Sequence, residues 1–156
     1  MDILKNIFGK SKEDIIDNDN TKQEELLMED NITERPWGEF HNLYEGDSCK
    51  VKVIIVNPGQ RISYQYHHHR DETWKIVEGE GHVTVDGQHR HLRAGQVIFI
   101  PKKVKHRIHN RSEEQRLLFV EIQTGESFSE DDIVRLDDDY GRLEESLEKT
   151  IKKELK

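Results

Sequence analysis

A length of 156 residues with a net charge of −8 indicates one domain with an acidic surface. This charge argues against a nucleic-acid partner, because proteins that bind nucleic acid carry clustered basic residues. Cys49 is the single cysteine, so the sequence has no disulfide framework and fits a reducing compartment. No apolar run approaches the roughly 18 residues of a membrane-spanning helix, and residues 1–8 carry Asp2 and no small-residue cleavage site. We therefore expect a cytoplasmic protein with no membrane partner.

Charge divides the chain into three parts. Residues 1–33 contain 4 Lys/Arg against 9 Asp/Glu, and residues 125–156 contain 6 against 11. The middle part carries +2 and all 9 histidines. We expect an acidic N-terminal extension over 1–33, which is disordered or forms short helices such as one around 23–28. A domain over 34–142 and a C-terminal helix over 143–156 follow it.

From Trp37 onwards the apolar residues follow a period of two, which is typical of β-strands. Nine short segments of this kind are separated by glycine- and proline-containing turns. They are 38–44, 49–56, 61–68, 72–78, 81–86, 89–93, 96–100, 105–110 and 116–123. Many short strands with turns every eight to twelve residues predict an all-β antiparallel sandwich or barrel.

The last residues form an apolar stripe at helical spacing. Leu143, Leu147, Ile151 and Leu155 follow one another at i, i+4, which places them on one face of a helix. The stripe indicates that this helix packs against the domain or joins two copies of the chain. We therefore expect a homodimer.

Four side chains have the chemistry and the spacing of a metal site. Gln65 and His67 point to the same face of a strand because they are two residues apart. Glu72 lies on the next strand and His106 begins a later one. One amide oxygen, two imidazoles and one carboxylate can hold a divalent metal and leave room for a substrate oxygen.

The adjacent histidines of the run 67–69 cannot all bind one ion, because successive strand residues alternate faces. His68 fits an exposed strand end, whereas His69 lies where the chain is expected to turn.

This pattern resembles the first motif of the cupin family, which is His-x-His, three or four residues, Glu, six residues and Gly. Six residues separate Glu72 from Gly79, and four residues before Glu72 place the ligand pair at Gln65 and His67. Pairing His67 with His69 leaves only two residues before Glu72, which is too few for the motif.

The second cupin motif is similar to a later part of the chain. It matches at Gly95, Pro101, His106 and Asn110, and Lys103 replaces a glycine of the motif. The replacement puts the turn in question but leaves the ligand His106 in place. The resemblance implies a cupin jelly roll with an N-terminal extension and a C-terminal helix.

Gln in place of the first His resembles the zinc site of phosphomannose isomerases. Four segments are similar to the type II mannose-6-phosphate isomerase domain: ERPWG at 34–38, QYHHHRDETW at 65–74, EIQTG at 121–125 and EDDIVRLDDDYGR at 130–142. In many proteins that domain follows a mannose-1-phosphate guanylyltransferase domain, which cannot fit into the 33 residues upstream. The resemblance therefore implies a standalone isomerase that interconverts mannose 6-phosphate and fructose 6-phosphate.

The resemblance implies a divalent metal on Gln65, His67, Glu72 and His106. Zinc is expected, although these ligands also suit manganese, cobalt or iron. The implied partner is a small sugar phosphate.

An isomerase of this kind needs a base and a phosphate-binding group. Glu121 shares a strand face with Gln123 and is a candidate base, although an outward-facing glutamate is an equal alternative. Arg70 follows the metal motif directly and is a catalytic candidate. Arg61 and Arg135 are candidates for binding the phosphate, and surface salt bridges are the alternative for all three arginines.

Two other functions remain open on the same fold. A non-catalytic sugar-binding or regulatory cupin retains the scaffold without turnover. A metal-dependent oxygenase uses iron or manganese, but Gln65 disfavours it because an amide oxygen is a poorer ligand for redox iron.

Overall fold

The computed structural model describes residues 31–154, and the predicted all-β sandwich is confirmed. Eleven strands are present in chain order: β1 Ile32–Arg35, β2 Gly38–Glu45, β3 Cys49–Val56, β4 Tyr64–His67, β5 Arg70–Glu78, β6 Glu80–Val85, β7 Gln88–Arg93, β8 Val97–Ile100, β9 His106–His109, β10 Leu117–Gly125 and β11 Ile133–Asp137. A 3-10 helix spans Glu130–Asp132, and helix α1 spans Leu143–Glu154. One sheet has the order β1-β2-β3-β10-β5-β8 and the other β11-β4-β9-β6-β7.

Alternation of side chains builds the core between the two sheets. In β5 the residues Glu72, Trp74 and Ile76 are buried, and they are two apart along the strand. The same period brings the buried residues Ile108 of β9 and Val83 of β6 into the interior from the opposite sheet.

The inner face of the six-stranded sheet changes from apolar to polar along the strands. Ile76 lies opposite Phe119, which lies opposite Ile54, and all three are buried apolar residues. In the next rows towards the other end, Trp74, Glu121 and Lys52 are aligned, and then Glu72, Gln123 and Lys50. One end of the sandwich is therefore packed with apolar side chains, and the other end holds buried polar groups.

Each of the nine predicted strand segments overlaps one observed strand, but β1 and β11 were not predicted. β1 lies at the end of the expected extension, and β11 lies in the acidic sequence after Thr124. Both are edge strands, and β11 pairs with β4, which carries Gln65 and His67.

The predicted C-terminal helix is present as α1, and its Leu147 and Ile151 are exposed. The homodimer stays a prediction. The helix expected around 23–28 lies outside the described residues, so the boundary predicted at 33 also stays a prediction. Within residues 31–154, no helix has the length and apolar character to cross a membrane.

Candidate metal centre

Three of the predicted ligands, His67, Glu72 and His106, converge between the two sheets, and we call them the metal group. His67 ends β4, His106 begins β9 and Glu72 lies in β5, so two ligands come from one sheet and one from the other. Each offers a ligand atom within 4.8 Å of the others, and all three side chains are buried. Within residues 31–154 this is the one group of acidic, histidine or cysteine side chains with such spacing.

The Nε2 atoms of the two histidines are arranged as ligands rather than as hydrogen-bonding groups. Nε2 of His67 lies 3.0 Å from Oε1 of Glu72, and Nε2 of His106 lies 3.4 Å from its Oε2. Neither nitrogen has a hydrogen-bond partner among the described residues. Ligand atoms about 2.0–2.2 Å from a tetrahedral zinc ion lie roughly 3.3 Å apart. The donor set and its spacing therefore fit a divalent metal.

Hydrogen bonding and burial keep the group in the form that binds a metal. Nδ1 of His106 donates to the Val104 carbonyl oxygen at 2.8 Å, so Nε2 carries the free lone pair. Burial lowers the pKa of His67, which favours the neutral ring. Burial alone would raise the pKa of Glu72, but His67 and His106 outweigh this effect and hold it well below its usual range.

Gln65 lies beside the metal group, in the five-stranded sheet that also carries His67 and His106. It faces His106 in the β4–β9 register and Arg135 in the β4–β11 register, so these three residues form one row. Its amide oxygen accepts a hydrogen bond from Ser63. The role of Gln65 as the fourth ligand stays a prediction.

The turn around Lys103 forms although the cupin motif has glycine there. Lys103 has a backbone φ of 67°, a left-handed conformation that costs a residue with a side chain roughly 1 kcal/mol. Its N–H donates to the carbonyl oxygen of His67 at 2.6 Å. The turn therefore supports the strand end that carries this ligand.

Glu121 points into the interior, and this excludes the outward-facing alternative. Its side chain is buried and accepts hydrogen bonds from Nε1 of Trp74 at 3.1 Å and from Nε2 of Gln123. Burial raises the pKa of Glu121 to about 7, and the charge of nearby Glu72 acts in the same direction. Trp74 is fully buried and also donates to Oε2 of Glu72, so it belongs to the core.

The three candidate arginines occupy different positions. Arg70 is buried and its Nε donates to Oε1 of Glu72 at 3.1 Å, so it touches the metal group. Arg135 is half-buried in the row of Gln65. Arg61 makes a two-pronged ion pair with Asp139, at 2.6 Å from each donating nitrogen. The substrate roles of Arg61 and Arg135 stay predictions.

Two buried residues near the group were missed from the sequence. Asp132 accepts hydrogen bonds from the backbone N–H groups of His68 and His69, which form the turn between two ligands. Lys52 lies opposite Glu121 and bonds Glu130, which is 78 residues away. A lysine at a core-facing strand position was the available signal for Lys52. No such signal marked Asp132, because it lies within a run of acidic residues.

The fold and the site together define a cupin with a buried group that can bind a metal. An RmlC-like cupin from Shewanella frigidimarina aligns with a TM-score of 0.54 and 24% identity, over 60% of this chain and 82% of that one. Residues 21–138 match the family described as mannose-6-phosphate isomerase C-terminal, and the chain belongs to this family.

Two curated relatives are much longer than this chain. The mannose-1-phosphate guanylyltransferase of Escherichia coli K12 is 40% identical over 109 residues, which are 70% of this chain and 23% of the relative. The alginate biosynthesis protein AlgA of Pseudomonas aeruginosa PAO1 is 42% identical over 111 residues, 71% of this chain and 23% of the relative. The chain thus spans about a quarter of the length of these relatives.

Proposed function

We propose that this chain is a metal-dependent isomerase that interconverts mannose 6-phosphate and fructose 6-phosphate. The observation that carries the proposal is the buried group of His67, Glu72 and His106 beside Glu121, in a chain of the mannose-6-phosphate isomerase family. The names of the relatives support a place in nucleotide-sugar or polysaccharide synthesis.

The reaction moves a proton between C2 and C1 of the sugar through an enediol. A bound divalent ion, which we expect to be zinc, supplies Lewis-acid polarisation of the sugar oxygens. His67, Glu72, His106 and Gln65 hold it in this proposal. The single carboxylate among these four ligands leaves the site with net positive charge.

Glu121 is the proposed base. As a carboxylate it takes the proton from C2 and returns it to C1, while the hydroxyl proton on O2 moves to O1, so that the C2 carbonyl and the C1 hydroxyl of the ketose form together. A pKa of about 7 suits this role, because a base works best when its pKa is near the working pH. Trp74 and Gln123 donate to its two oxygens and fix its orientation.

Arg70 is the proposed group that stabilises the negative charge of the enediol. Its guanidinium is buried next to Glu72, where a charge interaction is stronger than at the surface. Arg61 and Arg135 stay in the proposal as candidates for contacts with the substrate.

Metal removal and reloading test the proposal. The purified chain is stripped with a chelator, reloaded with zinc, manganese, cobalt or iron, and assayed for fructose 6-phosphate formed from mannose 6-phosphate. We expect metal-dependent turnover that His106→Ala abolishes. The exposed His89, which bonds Thr84 on β6, provides the control His89→Ala with unchanged turnover.

Two results would replace the proposal by one of its alternatives. Tight binding of mannose 6-phosphate without turnover at any metal indicates a non-catalytic binding protein. Oxygen uptake with the iron- or manganese-loaded chain indicates an oxygenase.

A further inference from the structure

A buried lysine lies at the polar end of the sandwich, close to the metal group. The side chain of Lys52 is 5% exposed, and its Nζ lies 2.6 Å from Oε1 of Glu130. The same Nζ lies 4.2 Å from the ring centre of Phe40. A buried ammonium group needs an anion beside it, because burying an unpaired charge is costly.

More than one cation surrounds the Glu130 carboxylate. The guanidinium of Arg35 lies 5.2 Å from the ring centre of Phe40, the ring that Lys52 also contacts. Arg70 donates from Nη1 to the carbonyl oxygen of Ser129, the residue before Glu130. Although burial opposes the shift, Lys52, Arg70 and Arg35 together lower the pKa of Glu130. Three positive charges thus act on the Glu130 carboxylate, and one of them, Arg70, is also paired with Glu72.

This cationic cluster, Lys52, Arg70 and Arg35, adjoins the metal group. Arg70 donates from Nε to Glu72 and from Nη1 to Ser129, so a single guanidinium separates the metal ligand from the segment that carries Glu130. Lys52 also lies opposite Glu121 in the β3–β10 register. An anion on this cluster is therefore next to the site where the sugar reacts.

We propose that Lys52, with Arg35 at the rim, binds the phosphate group of the substrate, and that the Glu130 carboxylate occupies this position until the phosphate displaces it. The identity of the substrate rests on the function proposed above. The cluster favours a phosphate dianion as the ligand, because the charges of Lys52 and Arg35, without Arg70 and its partner Glu72, exceed the single charge of Glu130.

The exposure of the two partners allows this exchange. The side chain of Glu130 is 43% exposed, whereas that of Lys52 is 5% exposed. Glu130 can therefore rotate into solvent while Lys52 stays in place and requires a new anion. A phosphate carries more charge and more acceptor oxygens than a carboxylate, and buried cations bind it through charge-assisted hydrogen bonds.

Calorimetric titration of the zinc-loaded full-length chain tests the proposal. The ligands are mannose 6-phosphate, unphosphorylated mannose and inorganic phosphate. We expect Lys52→Met to weaken the binding of both phosphate compounds by about tenfold or more, because a hydrogen bond to a charged group is lost. We expect Glu130→Gln to strengthen both several-fold, because the competing carboxylate is gone. Affinity for mannose stays unchanged in both variants.

Glu78 provides the matched control. It forms an ion pair with Arg116 at 3.0 Å, and it ends β5 at the opposite end from Arg70. Glu78→Gln removes the same charge from another ion pair, and we expect it to leave the affinity for phosphate unchanged. A general effect of net charge would instead give the same gain in both glutamine variants, and this would overturn the proposal.

Unchanged or weaker phosphate binding in Glu130→Gln also overturns it, and this variant decides the matter if Lys52→Met does not fold. The outcome is separable from that of the proposed function. Inorganic phosphate that follows the expected pattern without any isomerase turnover supports the phosphate site and contradicts the isomerase. Turnover of mannose 6-phosphate without this pattern supports the isomerase and contradicts the phosphate site.

Discussion

Two buried carboxylates on neighbouring strands share one hydrogen-bond donor, and their pKa values are shifted in opposite directions. Nε1 of Trp74 lies 3.1 Å from Oε2 of Glu72 and 3.1 Å from Oε2 of Glu121. Two neighbouring histidines stabilise the charged form of Glu72, whereas burial and the charge of Glu72 favour the protonated form of Glu121. When the surroundings move two pKa values apart in this way, one carboxyl group stays charged and the other is suited to transfer a proton.

The raised pKa of Glu121 makes the stability of the metal-free chain depend on pH. Glu121 holds its proton up to about pH 7 in the folded chain, whereas the ordinary value is 4.5. Its contribution to stability is therefore fully present below pH 4.5 and is lost as the pH rises through 7. We expect Glu121→Gln to be more stable than the parent at pH 8 by up to about 3 kcal/mol, at 1.36 kcal/mol per pKa unit.

Urea denaturation in the presence of chelator, at pH 5 and pH 8, measures this difference. The new amide can donate to Oε1 of Gln123, a buried atom with no hydrogen-bond partner among the described residues. Glu113→Gln at an exposed position is the control and is expected to change little at either pH. A Glu121→Gln variant that is less stable than the parent at pH 8 would contradict the assignment.

At the scale of elements, the 3-10 helix that contains Asp132 supports the turn between two predicted metal ligands. Both oxygens of Asp132 accept from the turn, Oδ1 from the N–H of His68 at 3.2 Å and Oδ2 from that of His69 at 3.1 Å. His67 and Glu72 flank this turn. Gly125 allows β10 to end against it, because a side-chain Cβ there would lie 2.2 Å from the carbonyl oxygen of His69.

We therefore expect Asp132→Asn to weaken zinc binding. An amide can accept only one of the two N–H hydrogen bonds, and loss of groups that orient metal ligands costs about 10–100-fold in affinity. Competition with a chromophoric zinc chelator measures the dissociation constant. The neighbouring Asp131 is exposed, and Asp131→Asn is expected to keep the parent affinity. Lower stability of Asp132→Asn with unchanged zinc affinity would show that Asp132 only supports the fold.

The sequence predicted the elements with a strong apolar pattern and missed those without it. β5 was predicted because its inward residues repeat every second position, and β3 because it is a run rich in valine and isoleucine between turns. β1 and β11 are short edge strands with no fully buried residue, so their pattern was too weak against acidic surroundings. His67, Glu72 and His106 could be found because their spacing follows a known motif. The pair of Lys52 and Glu130 could not, since only the three-dimensional fold brings residues 78 positions apart together.

At the scale of the whole molecule, the metal group connects the two sheets at their polar end. His67 and His106 belong to the five-stranded sheet and Glu72 to the six-stranded sheet. The apolar core at the other end holds the sheets by burial of side chains such as Phe119 and Ile108. At the polar end, the Nε2 atoms of His67 and His106 have no hydrogen-bond partner among the described residues, and both lie close to the charged carboxylate of Glu72. A bound cation therefore stabilises the end of the sandwich where hydrophobic packing is weakest.

Removal of the metal should accordingly lower the melting temperature of the whole domain. A ligand present at about a thousand times its dissociation constant stabilises the folded state by about 4 kcal/mol. For a chain of this size each kcal/mol corresponds to about 2–4 °C, so we expect zinc to raise the melting temperature by roughly 10 °C. Differential scanning calorimetry with zinc and with chelator measures the shift. His106→Ala should melt at the same temperature in both conditions, whereas His89→Ala should keep the shift of the parent. A parent chain that melts identically with zinc and with chelator would exclude a tight metal site between the sheets.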